Sequence, residues 1–348
     1  MDLIIFLMAL SILVLAHEVG HYLAATKAGV KVEEFGLGLP PRVVSKKIKG
    51  TIWSLNWLPI GGFCKLYGEE DGGKGEEAFN NQKPASKAVI VLAGVVMNLL
   101  LAVVIFSVVY QIVGVPLETE RVKVIGVAAD SPAQEAGLKE GDWIKEVENK
   151  RISQPQELTV EVEKFKGGKV ILWVESQGKE RMVAVEVREK APEGQGAMGV
   201  VISNIEMKAV RWYQFYLGVA AGFKEAYYWS RVIVGGLNKT LTALLMGRIP
   251  GDVAGPIGMY QASSNIKKAG GLLAVAHFFG IVSVNLAIVN VLPFPALDGG
   301  RIIFVIYELV SKKRPNKKLE LIVNNLGMAI LLSLLVVISA ADVMRLIK

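Results

Sequence analysis

His17, Glu18 and His21 stand in the run His17-Glu18-Val19-Gly20-His21. On a helix, residues four apart share a face, so the two imidazoles can hold one zinc ion between them. The carboxylate beside them can then take a proton from a water on that ion. The surroundings are apolar: LIIFLMALSILVLA precedes the run and YLAA follows it. A metal-hydrolase motif in a segment of that kind points to hydrolysis at or within a bilayer.

A catalytic zinc usually takes three protein ligands and leaves one position for water. The chain has three histidines, and the one outside this run, His277, is a candidate for the third ligand. Asp298 is the better one. It lies in Asn290-Val291-Leu292-Pro293-Phe294-Pro295-Ala296-Leu297-Asp298-Gly299-Gly300, at the end of another apolar stretch. A charged side chain at the centre of a membrane helix costs about 2.5–3.5 kcal/mol, so it usually has a partner or a function. The prolines and glycines of the run break the helix, and irregular backbone at membrane depth is tolerated where it lines a cavity.

The elements that carry these residues follow from composition and charge. Of 348 residues, 52% are hydrophobic and only 20% charged, which suits a membrane protein with a soluble insert better than a globular enzyme. The net charge of +7 is spread over several loops, without the basic, aromatic-interleaved tract that nucleic acid binding needs. Cys64 is the single cysteine, so no internal disulfide can form. Crossing a bilayer takes about 20 apolar residues, and four segments qualify: about 3–26, 88–115, 270–297 and 321–341. The first lacks a basic leader and contains the metal motif, so it reads as a retained span and not as a signal peptide. Lys46, Lys47 and Lys49 follow span one, and Arg301, Lys312, Lys313, Arg314, Lys317 and Lys318 follow span three. Short basic loops stay in the cytoplasm, which places both termini and the long region between spans two and three outside.

Between spans one and two, Val30–Phe35 and Thr51–Leu55 have strand-like composition around a Gly- and Pro-rich stretch. A small β-loop over about 30–66, dipping into the membrane beside the active site, is expected. From Val122 to Ile202 short β-branched runs alternate with turns, and Ser131–Ala136 reads as a short helix stopped by Gly137. The stretch from Lys208 to Gly247 is rich in Trp and Tyr but interrupted by Lys224, Glu225, Arg231 and Lys239, and it reads as one or two interfacial amphipathic helices. The organisation expected is a membrane domain in two parts, 1–118 and 269–348, enclosing a domain at 119–205 and interfacial helices at 206–268.

Three motifs in this order carry a resemblance. The pattern ADSPAQEAGLKEGDWI resembles a bacterial PDZ domain, a module that binds extended peptides at a sheet edge. HEVGH in span one, LDGG after span three and that insert together resemble the site-2 protease family of intramembrane zinc metalloproteases. The likeness is greatest to the bacterial regulator-of-sigma-E protease group in a version with one PDZ domain, and it covers nearly the whole chain. The resemblance implies a polytopic α-helical membrane protein with four transmembrane helices, a membrane-associated β-loop and an inserted α+β PDZ domain, in the bacterial cytoplasmic membrane with the PDZ domain outside. It implies zinc on His17, His21 and Asp298, with Glu18 activating the water. Asn290, Pro293 and Pro295 match the family's N-x-x-P-x-P-x-L-D-G run, which helps hold the substrate backbone. Phe35–Gly38 matches the family's β-loop, and Gly255-Pro256-Ile257-Gly258 resembles its G-P-I segment. In span two, Ala93-Gly94-Val95-Val96-Met97-Asn98 has Val95 where many members have proline, and keeps the asparagine.

The expected substrates are single-span membrane proteins: an anti-sigma factor after a first cleavage, in regulated intramembrane proteolysis, and remnant signal peptides as a second class. The PDZ domain is expected to take a peptide or C-terminus, or to act as an outer size filter. Two other classes fit less well. A non-catalytic scaffold has no use for Glu18, and a metal transporter would place a series of ligands on several spans.

Overall fold

A computed structural model describes residues 2–69, 73–192, 194–246 and 255–347. The chain forms two compact units, Met1–Ile112 with Val210–Lys348 and, inserted between these, Val113–Ala209.

The first unit opens with α1 (Asp2–Lys27), followed by β1 (Val32–Ile48) and β2 (Thr51–Leu66). Both strands are long and bent. Residues 34–37 pair with 52–55 and also with 62–65, while 42–48 pair back on 51–56, so two strands give a sheet four segments wide. Helix α2 (Pro84–Val113) follows.

The inserted unit holds β3 (Val115–Val127), α3 (Pro132–Glu135), β4 (Trp143–Val147), β5 (Lys150–Arg151), α4 (Pro155–Glu163), β6 (Lys169–Ser176), β7 (Lys179–Glu186) and β8 (Val200–Lys208). The sheet runs β7-β6-β4-β3-β8, with β5 on β4, over a core that includes Val122, Val124, Ile144, Leu158, Val170 and Leu172. The motif that predicted the short helix is explained by its contacts. Ser131 caps α3 by accepting from the Gln134 amide, and Gly137 takes φ 79°. Buried Asp142 accepts from Arg181 and from the Lys139 amide, both at 3.0 Å.

The chain returns to the first unit with α5 (Phe215–Leu245), α6 (Pro256–Val291), α7 (Asp298–Ser311) and α8 (Lys317–Ile347). Four helices of the described residues are long and apolar enough to cross a membrane: α1, α2, α6 and Lys317–Arg345 of α8. The aromatic stretch, over its described residues, is a short 3-10 helix at Trp212–Gln214 followed by the single helix α5. Span three differs from its expected bounds at both ends. Helix α6 starts at Pro256, is broken at Gly271 (φ 70°, ψ −162°) and stops at Val291. The 20 residues from Leu272 to Val291 are about 30 Å long, enough to span the hydrocarbon. The segment after Arg301, read as a charged loop, begins with α7. Its charges find partners: exposed Arg301 bonds Glu69, and the Glu308 carboxylate accepts from buried Lys87 at 2.7 Å.

Candidate active site

His17, Gly20 and His21 occupy one face of α1, and Ile90, Gly94 and Asn98, four residues apart, occupy one face of α2. These faces meet at backbone distance. A Cβ at Gly20 would lie 2.9 Å from the Gly94 Cα. One at Gly94 would lie 2.5 Å from His21 Nε2 and 2.8 Å from His17 Nε2. Two glycines therefore let α2 carry its partners up to the imidazoles. The Ile90 carbonyl accepts from His21 Nδ1 at 2.9 Å, which fixes the ring and leaves Nε2 with its lone pair.

Asp298 arrives from the other side, as the first residue of α7. Its Oδ2 lies 3.0 Å from His17 Nε2 and 3.4 Å from His21 Nε2, and the two Nε2 atoms are 3.1 Å apart. Oδ2 is buried and has no hydrogen-bond partner, while the two Nε2 atoms lie within hydrogen-bond distance of each other. His17 Nε2, His21 Nε2 and Asp298 Oδ2 thus converge on a common point. Nitrogen and oxygen ligands at about 2.0–2.2 Å from a tetrahedral zinc lie roughly 3.3–3.6 Å apart, so the donor set fits such an ion. Among the described residues these three side chains form the group able to share a metal.

The backbone before Asp298 is built for close approach. Ala296 takes φ 70°, a left-handed conformation that costs a non-glycine residue energy. A Cβ at Gly299 would lie 2.5 Å from the Val291 carbonyl carbon, and one at Gly300 would lie 2.9 Å from that of Phe294. The glycine pair thus lets residues 292–297 fold back against α7. Gly327 of α8 supports this turn from behind, where a Cβ would lie 2.7 Å from the Pro295 carbonyl carbon.

The remaining predicted residues fall around this centre. Glu18 is half-buried, and a Cβ at Gly62 of β2 would stand 3.5 Å from its Cγ, so the strand passes beside the carboxylate. Asn290 places its amide nitrogen 3.4 Å from His17 Nε2. Pro293 is exposed and Pro295 half-buried, both in the turn. His277, the other candidate ligand, lies elsewhere and pairs with Glu225 of α5 at 3.1 Å. The sequence reading missed the roles of Gly94 and of the Ile90 carbonyl. The available signal was the spacing of Ile90, Gly94 and Asn98 along one helical face.

A family model described as peptidase family M50 matches residues 5–334. A protein of Clostridium acetobutylicum, named for an inferred zinc metalloprotease activity, is 30% identical over 342 residues, covering 98% of this chain and 97% of its own length. A Clostridium perfringens protein named in the same way is 31% identical over 348 residues, with 99% and 98% covered. Zinc metalloprotease RasP of Geobacillus kaustophilus is 27% identical over 426 residues, again with 99% and 98% covered.

Proposed function

The chain belongs to peptidase family M50, the site-2 protease family, and is a zinc metalloprotease; we propose that it cuts peptide bonds within transmembrane segments of single-span membrane proteins. His17, His21 and Asp298 hold the ion, Glu18 is the general base, and Asn290 with Pro293 and Pro295 holds the substrate backbone. The observation that carries this reading is the convergence of His17 Nε2, His21 Nε2 and Asp298 Oδ2, drawn from α1 and α7, beside a glycine whose Cβ would fill the space between the imidazoles.

Bound zinc supplies a Lewis acid that polarises the scissile carbonyl and lowers the pKa of a water to about 7. Glu18 lies next to His17 in sequence, so its carboxylate is placed to take the proton of the attacking water and pass it to the leaving amine nitrogen. A peptide in a helix has its carbonyls already bonded, so the substrate must be unwound before attack. The Asn290 amide, close to His17 Nε2, offers a donor to a freed substrate carbonyl. Residues 292–297 run as irregular backbone just after it, between α6 and α7.

Glu18→Gln should keep stoichiometric zinc and lose cleavage of a co-expressed single-span substrate by at least about 100-fold, the usual range for a general base. Retained cleavage would sink the protease mechanism. Asp298→Ala should lose the metal, read by elemental analysis.

For the substrate, the family likeness supports an anti-sigma factor remnant first and remnant signal peptides second. Trapping on the Glu18→Gln protein, followed by mass spectrometry, distinguishes these. The inserted unit is read as a PDZ domain. Its β8 is an edge strand, and a groove of about 300 Å³ beside it is lined by Leu158 and Val162 of α4 and by Met198, Val200 and Ile202. An edge strand beside an apolar groove suits an added peptide strand. The basic loops after spans one and three support a cytoplasmic catalytic side in a bacterial inner membrane, with the inserted unit outside.

A further inference from the structure

We propose that Asn98 is the positioning residue of His17: its side-chain oxygen accepts the Nδ1–H of that imidazole and so keeps Nε2 turned to the metal. The proposal rests on the metal site described above. Its ground is the difference between the two histidines. His21 has its Nδ1 fixed by the Ile90 carbonyl at 2.9 Å. For His17 the group at Nδ1 is the Asn98 amide, 3.4 Å away and two helical turns further along the same face of α2.

Asn98 is 1% exposed, and its side-chain oxygen has no hydrogen-bond partner. The end of the amide that faces Nδ1 is the nitrogen. When Nε2 of a neutral imidazole binds a metal, Nδ1 carries the proton, and a second donor opposite it is repulsive. The two ends of an amide are nearly the same size, so a half-turn of the amide puts the orphaned oxygen on the Nδ1 proton. Metal-bound histidines nearly always donate their other N–H to an outer acceptor of this kind. The asparagine is itself held: Ser283 of α6, fully buried, donates its hydroxyl to the Asn98 backbone carbonyl at 2.8 Å. A plain packing role would leave the identity of the polar atom open, whereas this role demands an acceptor.

The experiment measures zinc affinity of the full-length protein in detergent by competition with a chromogenic chelator. Asn98→Asp presents only acceptors and should stay within a few-fold of the wild type. Asn98→Leu keeps the volume without an acceptor and should bind zinc 10–100-fold more weakly, the usual loss for an outer partner of a metal-bound histidine. Circular dichroism and thermal unfolding check that both variants fold. Wild-type affinity in Asn98→Leu overturns the proposal, and so does an Asn98→Asp loss as large as that of Asn98→Leu. Should either variant not fold, ¹⁵N-histidine NMR of the zinc-loaded wild type decides: a proton on His17 Nδ1 supports the assignment, and one on Nε2 overturns it. If the wild type takes up no zinc, or His17→Ala keeps it, the metal site itself falls. A wild type that binds zinc tightly beside an Asn98→Asp that does not is failure of the Asn98 role alone.

Discussion

At the scale of single residues, the proposed metal site depends on a glycine as much as on its proposed ligands. A methyl group at position 94 would lie 2.5 Å from His21 Nε2 and 2.6 Å from the His17 ring, well inside contact distance. The helix cannot back away while keeping the pair, because Gly94 already packs against Gly20. Gly94→Ala, which raises intrinsic helix propensity by about 1 kcal/mol in an open position, should here expel zinc and abolish cleavage while leaving helix content unchanged. Val96→Ala, at an outward position 51% exposed, should leave zinc stoichiometry unaltered. Equal zinc in both variants would show that the α1–α2 approach does not shape the site. The three proposed ligands were legible in the sequence because histidine and aspartate are scarce at membrane depth and their spacing is distinctive. Gly94 was not, because glycine in an apolar helix reads first as ordinary close packing. The Ile90 carbonyl had no sequence signal at all, since every residue carries one. His277 shows the converse: a polar residue in a span with a partner, Glu225, that lies on a helix the sequence could not orient.

At the scale of elements, existence was easier to read than ends. Apolar length alone marks α1, α2, α6 and α8. Helix ends are set by contacts that cross the chain, and α6 is the clearest instance. It opens at Pro256 with Gly255 as N-cap, and its free Gly258 amide donates to buried Asp342 of α8 at 2.9 Å. A Cβ at Gly255 would stand 2.7 Å from that carboxylate. The G-P-I segment is thus a helix start built to receive a cap from 84 residues away. Removing a capping oxygen costs about 0.5–2 kcal/mol. Asp342→Ala should accordingly lower the thermal unfolding midpoint, and Asp342→Asn, which retains an acceptor, should recover most of it. An alanine variant as stable as the wild type would show that the cap carries no weight. The same cross-chain logic explains α7. Arg301 and Glu308 suggest an exposed loop until Glu69 and Lys87 are seen to neutralise them, leaving Ile303, Ile306, Leu309 and Val310 on the outer face.

At the scale of the whole molecule, the question is what the inserted unit contributes to a site it does not build. Every donor of the metal group belongs to the first unit, so catalysis has no chemical need of residues 113–209. On the reading of an outer PDZ domain, the insert decides which substrates approach, admitting those already trimmed by a first protease. The fold makes this testable without disturbing the rest. The unit begins and ends on one paired stem, with Val115 opposite Lys208 and Glu118 opposite Ile205. Deleting residues 122–202 leaves that stem intact, and the short remainder between Glu118 and Ile205 can close it as a hairpin, where opposed Cα atoms are only about 4.5–5.5 Å apart. The shortened protein should bind zinc stoichiometrically and cleave a pre-trimmed substrate at the full-length rate. It should also cleave the untrimmed substrate, which on this reading the full-length protein leaves intact. Gel analysis of the two substrates co-expressed with each version gives the answer. An untrimmed substrate still intact beside a trimmed one that is cut would refute the filter. Loss of both cleavages with zinc retained would instead make the insert a docking site, and the β8 groove the place where trimmed substrates are first held.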